Sequence, residues 1–136
     1  TGTHNFSNGG NTFKLALYTA SPYTTASTAY VTTSEVSSAG GSQYGAGGNT
    51  LTGQQLTNIN NVATVDFAQT VWGTPTAATF TAAFGAIYND TQADKLVVVL
   101  DFGGDKSCSN GTFTITFPDP TTGTPAGTDA ILSITS

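Results

Sequence analysis

Charge is what this sequence has least of. Only 8% of its 136 residues are Asp, Glu, Lys or Arg, where a soluble domain ordinarily carries about a quarter. Arginine is missing altogether, and Lys14, Lys95 and Lys106 are the only lysines. With a formal net charge of -5, the chain is poorly suited to nucleic acid, whose phosphates must be met by Lys and Arg. The same balance works against anionic membranes, and no apolar run reaches the length of a transmembrane helix. A single cysteine, Cys108, cannot close an internal disulfide, and no Cys/His cluster is present to hold zinc. The one histidine, His4, sits near the glycine-rich start of the chain. It reads there as a solvated residue near a chain end, not the base of an acyl-transfer triad. Methionine is absent and the opening residues are polar, so no signal peptide is visible, and the chain reads as trimmed or as part of a longer gene product.

Uncharged polar residues fill the gap. Threonine alone is about a fifth of the chain, a strong departure from ordinary usage. A β-branched hydroxyl suits a pleated, half-wet surface and resists helix. Alternating segments stand out against this background. Phe13, Leu15 and Leu17 interleave with Lys14, Ala16 and Tyr18. Val62 to Phe67 reads as a strand, and so does Thr79 to Tyr88, with Gly85 as a bulge or close-approach point. Leu96 to Phe102 is a continuous apolar run, as in a strand buried on both faces. Phe113, Ile115 and Phe117 alternate with threonines, and Ala130 to Ile134 supplies a closing strand. Asn89 to Asp94 predicts a hairpin with a longer loop. Gly103-Gly104-Asp105 and Asn110-Gly111 predict a second hairpin connection, and Pro118 to Gly127 predicts a loop.

These runs predict an all-β domain: a single antiparallel β-sandwich over residues 1–136, of jelly-roll or Ig-like type, with seven to nine strands. Its expected core is Phe13, Leu15, Leu17, Val65, Phe67, Phe80, Ile87, Val97, Val99, Phe113, Ile115 and Phe117. Residues 19–61 stand apart as a long Gly/Ser/Thr-rich excursion whose tyrosines argue for an ordered loop.

The candidate chemistry is thin. Asp90 and Asp94 flank one turn and Asp101 and Asp105 another, where Asp bends chains without any ligand, and neither pair has EF-hand spacing. Asp66 reads as an outward polar position in its strand. Cys108 has no neighbouring base to activate it. The glycine pairs are not phosphate loops, for no helix and no Gly-Lys-Ser/Thr follows. Three sequons, at Asn5, Asn89 and Asn110, are what chance gives in a chain so rich in Asn and Thr. Neither a catalytic set, a cofactor nor a metal is implied. What remains for recognition is aromatic: Tyr23, Tyr30, Tyr44 and Trp72 are the candidate interface residues.

In order and spacing, several segments are similar to a known group. The opening strand FKLALYT at 13–19 is followed by a Tyr- and Gly-rich stretch from Tyr44 to Leu51. Val65-Asp66-Phe67 with Trp72 comes next, then Phe80 to Asp90, Leu100 to Lys106 and Gly111 to Pro118. Together they resemble small virion-associated proteins of tailed bacteriophages, and the likeness covers nearly the whole chain. Two departures stand out: the group's segment upstream of GTHNF is absent, and Gly127 and its neighbours lengthen the loop before the last strand. The resemblance implies a non-enzymatic virion component, with no catalytic or ligand residue carried over. A capsid decoration or cement protein is the first expectation. Its partners would be copies of itself, in a homo-oligomer, and other virion proteins such as the major capsid protein. A tail or fibre subunit with receptor contact is the second, and a carbohydrate-binding module stacking Trp72 and tyrosines on sugar rings is the third.

Overall fold

The apolar character of both faces of Phe13–Tyr18 decides where this segment goes. It forms strand β1, inside a four-stranded antiparallel sheet ordered β2-β1-β6-β7. The structure is a computed structural model that describes residues 3–59, 62–118 and 132–135. The strands are β1 (Phe13–Tyr18), β2 (Asn49–Thr50), β3 (Gln55–Ile59), β4 (Val62–Asp66) and β5 (Thr70–Trp72), then β6 (Ala78–Asn89), β7 (Lys95–Gly111), β8 (Phe113–Ile115) and β9 (Leu132–Thr135). The one helical turn among the described residues is a 3₁₀ turn at Asp90–Gln92. The contacts group the chain into two compact units. One combines Thr1–Asn11, Leu51–Thr70 and Ile115–Ser136; the other combines Thr12–Thr50 and Val71–Thr114.

The second unit carries the four-stranded sheet. β1 pairs with β6 along its whole length, from Phe13 opposite Asn89 to Tyr18 opposite Phe84. Phe13, Leu15 and Leu17 are fully buried on one face, with Ile87. On this face Gly85 is a point of close approach: a Cβ there would lie 3.1 Å from both Leu15 Cδ1 and Phe102 Cζ. It pairs in register with Leu17 and Leu100, so it is not itself a bulge. Above that sheet the strand pair β5–β8 contributes Trp72 and Phe113. Their rings meet Phe80 of β6 at 6.4 and 5.0 Å between centroids. Packed antiparallel sheets of this kind are the all-β sandwich architecture that the alternating runs predict. The other face of β1 and β6 is buried as well, with Ala16, Tyr18, Ala86 and Tyr88 forming one cluster.

The first unit holds a three-stranded antiparallel sheet ordered β3-β4-β9. Val65 and Phe67 are buried there, and the Phe67 ring lies 5.8 Å from that of Phe117. Ala68 N–H donates to Thr52 O at 2.8 Å, which ties the segment after β4 to the one before β3.

Four expectations are corrected. Gly103-Gly104-Asp105 is no hairpin. β7 runs on through it as a bulge, in which Phe102, Gly103, Gly104 and Asp105 all stand opposite Ala83. Positive φ at Gly103 and Gly104 accommodates the extra residues. Leu96 to Phe102 is not buried on both faces: Leu96 to Leu100 and Phe102 are half-buried and Asp101 is exposed. Val97 and Val99 therefore leave the core list, β7 being the edge strand of its sheet. Ile115, at the end of β8, is likewise half-buried. Over its described residues, 19–59, the 19–61 excursion is not loop throughout, for it contains β2 and β3. The hairpin at Asn89–Asp94 is as expected, with Ala93 and Asp94 in the left-handed region. The loop expected at Pro118–Gly127 falls, but for Pro118, outside the described residues, as do Ala130 and Ile131.

Candidate functional site

Between Lys14 and Asp66 the chain holds one charged side chain, Glu35, which is also its only glutamate. In an otherwise neutral stretch, a carboxylate needs donors. Tyr30 donates its hydroxyl to Glu35 Oε2 at 2.7 Å. Tyr44 donates to Oε1 at 2.7 Å, and the Gly47 N–H reaches the same oxygen at 2.7 Å. Both carboxylate oxygens are thus engaged by charge-assisted hydrogen bonds.

The remaining tyrosines join this centre. Tyr88 donates to Gly47 O at 2.7 Å, and its ring stacks on that of Tyr30 at 4.6 Å. Tyr18 donates to Val31 O at 2.9 Å, so in the 2.6 Å contact between the Tyr18 and Tyr23 hydroxyls the proton comes from Tyr23. Tyr44 Oη also accepts the buried Leu17 N–H at 3.0 Å. All five tyrosines of the chain are thus bonded in two sets, Tyr30, Tyr44 and Tyr88 through Glu35 and Gly47, and Tyr18 and Tyr23 with Val31, and the packing of Tyr18, Tyr23, Tyr30 and Tyr88 in one cluster pins the excursion to β1 and β6. Burial is the main cause that raises every one of these phenols above the ordinary tyrosine value; for Tyr30 and Tyr44 the hydrogen bond to Glu35 adds to it. The neutral, donating phenol is the form the fold uses.

Backbone contacts complete the anchoring. Val36 N–H donates to Leu17 O at 2.9 Å and Thr19 N–H to Ser34 O at 2.9 Å. Ala29 bridges to Lys95 at the start of the β7 edge. Gly48 is required by contact as well as by its φ of +76°: a Cβ there would fall 1.9 Å from Leu15 O.

The four candidate interface residues are therefore placed as follows. Tyr44 and Trp72 come together, stacked at 6.3 Å, and are only 3% and 2% exposed, so neither presents a ring to solvent. Trp72 Nε1 is buried without a hydrogen-bond partner among the described residues. Tyr23 and Tyr30 are half-buried with their hydroxyls turned inward. What faces outward is the other side of the excursion: Thr25, Val31, Thr33, Ser34, Ser38 and their neighbours, all uncharged. Glu35, Tyr18 and Tyr88 were not singled out by sequence reasoning. The available signal was Glu35 itself, a lone carboxylate in a long neutral stretch.

An open cleft of about 280 Å³ lies beside this surface, lined by residues including Val36, Ser37, Ser42, Thr79, Phe80 and Thr81. Its hydroxyls are already engaged: Ser42 donates to Ser37 O at 2.7 Å, Thr79 Oγ1 accepts from Asn110 N–H at 2.9 Å, and Thr81 pairs with Ser107 at 2.7 Å. The acidic turns are structural in form. Asp90 pairs with Lys14 at 2.8 Å, and Asp101 accepts the Gly103 N–H at 2.8 Å. Among the described residues no three His, Cys, Asp or Glu side chains cluster as a metal site would need. Cys108 is buried against Phe80 O at 3.8 Å, and His4 is half-buried beside the Phe6 ring. Asn89 is fully buried and caps the 3₁₀ turn, a placement closed to a glycan. The chain matches no family model, no curated protein and no solved structure.

Proposed function

We propose that this protein is a non-enzymatic structural subunit of a phage virion. In this reading it is a capsid decoration or cement protein that works through its neutral, hydroxyl-rich excursion. The observation that carries the reading is the Glu35–tyrosine network. It turns the only charge of the excursion inward and holds Thr19–Asn49 as a fixed, uncharged outer surface. Such a surface packs against neighbouring subunits without burying an ion, a step that costs several kcal/mol when the charge is unpaired. The likeness to small virion proteins of tailed phages supports placing it on a particle. The sugar-binding alternative loses two of its stacking rings, since Trp72 and Tyr44 are buried.

The reading is tested by placing charge on the exposed surface. Thr33→Lys with Ser38→Lys leaves the network untouched, so the free protein should melt as the parent does. Incorporation into particles should fall steeply. Normal incorporation of this variant would remove the assembly role from this surface.

A further inference from the structure

The chain contains two Asn-Gly pairs, Asn8-Gly9 and Asn110-Gly111, and the structure treats them differently. Asn8 lies at the tip of an N-terminal loop closed by Gly10 N–H donating to Ser7 O at 2.8 Å. Gly9 has φ +76°, as at the third position of a type II turn. In such a turn the N–H of that residue takes no part in the closing bond. Among the described residues neither the Asn8 side chain nor the Gly9 N–H has a hydrogen-bond partner. Both residues are exposed, and the space a Gly9 Cβ would fill is open. The loop on either side is firmly held. Asn5 N–H donates to Asn11 Oδ1 at 2.8 Å, Asn11 N–H to Asn5 O at 2.9 Å, and Gln54 Nε2 to Ser7 O at 2.7 Å. Asn110-Gly111 is restrained instead. Asn110 N–H donates to Thr79 Oγ1 at 2.9 Å, and Gly111 stands opposite Ala78 in the β6–β7 ladder.

From this contrast we infer that Asn8 is a site of spontaneous modification, deamidating to aspartate and isoaspartate while Asn110 is spared. The Gly9 backbone nitrogen attacks Asn8 Cγ. A C–N bond forms, the bond from Cγ to Nδ2 breaks, and the side-chain amide leaves as ammonia with the proton from Gly9. The resulting five-membered imide is opened by solvent water at either carbonyl. No oxidant, metal or enzyme is required. The product adds a carboxylate to the loop. In the isoaspartyl form the main chain is also lengthened by one carbon beside the Ser7 carbonyl that receives both Gly10 and Gln54. The loop's tie to the start of β3 should loosen as the protein ages.

The test is peptide mapping by mass spectrometry of the folded protein, aged at mildly alkaline pH, beside a sample unfolded in urea. In the folded protein the mass gain of one dalton should accumulate at residue 8 several-fold faster than at residue 110. In urea the two sites should converge. Asn8→Gln should suppress ammonia release from the folded chain while leaving its melting temperature unchanged. Equal rates at the two sites in the folded state, or faster reaction at Asn110, would overturn the inference.

Discussion

Glu35 shows how one side chain can organise the neutral segment Thr19–Asn49. It receives two phenols and a backbone amide, and hydrogen bonds to a charged group contribute about 1.5–3 kcal/mol each when well formed. Glu35 is half-buried, so water offsets part of that. Replacing it with alanine should lower stability by about 2–4 kcal/mol, since Tyr30, Tyr44 and Gly47 are then left to find water. Glu35→Gln keeps an acceptor for Tyr44 and Gly47 and should cost clearly less. Urea unfolding of the two variants measures this, and an equal loss would mean the carboxylate charge, and not its geometry, matters. The tyrosines set a pH limit of the opposite sense to acid denaturation. Their folded-state values are raised, so the neutral phenol stabilises the fold. That contribution is complete below the ordinary tyrosine value of about 10 and is lost as pH climbs beyond it. Unfolding free energy should therefore fall steadily above about pH 10. Tyr18→Phe should flatten that fall, as followed by urea titrations at successive pH values. Beyond the lone carboxylate of Glu35 in a neutral stretch, nothing in the sequence marks this centre. Tyr23, Tyr30 and Tyr44 stood out as aromatics in a polar stretch, but their partners Tyr18 and Tyr88 lie on strands, and only the tertiary fold brings Glu35 to them.

Among the elements, legibility tracks local periodicity. β1, β4, β6 and β8 fall where the apolar and alternating runs place them, with Phe13, Val65, Phe80 and Phe113 buried in them. β3 escaped notice. Its described apolar side chain, Leu56, is 57% exposed, so the strand exists through its pairing with β4 and not through a buried face. β7 was misread in the other direction. A Gly-Gly-Asp sequence has hairpin chemistry, yet the pairing with β6 continues past it and the extra residues stand out as a bulge of β7. Together with the register shifts at Ala78/Phe80 and Ile87/Tyr88 and the Ala29 bridge, that bulge makes the β7 edge irregular. Irregular, partly covered edges discourage strand-to-strand aggregation. Glycines test the anchoring of the excursion. Gly48→Ala would drive a methyl into Leu15 O and should undock the segment, visible as a large loss of stability. Gly40→Ala shares the positive φ but meets nothing within 4 Å, so it should cost only about 1–2 kcal/mol. Similar melting temperatures for the two would mean that Gly48 does not pack as described.

For the molecule as a whole, the distribution of charge is the guiding feature. Among the described residues, the three lysines and Asp90, Asp94, Asp101 and Asp105 lie on β1, on the β6–β7 hairpin and along β7, and Asp66 lies on β4, while Thr19–Asn49 carries only the inward-turned Glu35. Two copies with a net charge of -5 each can approach most closely where neither presents a charge. The central claim is that this neutral surface is the one covered in the working assembly. Amide hydrogen exchange, compared between the free protein and particles that carry it, tests this most directly. The account predicts new protection concentrated in the exposed turns of residues 24–41, with the already bonded amides of β1 and β6 unchanged. Protection that instead appears along the outer edge of β7, or none at all in residues 24–41, would contradict it.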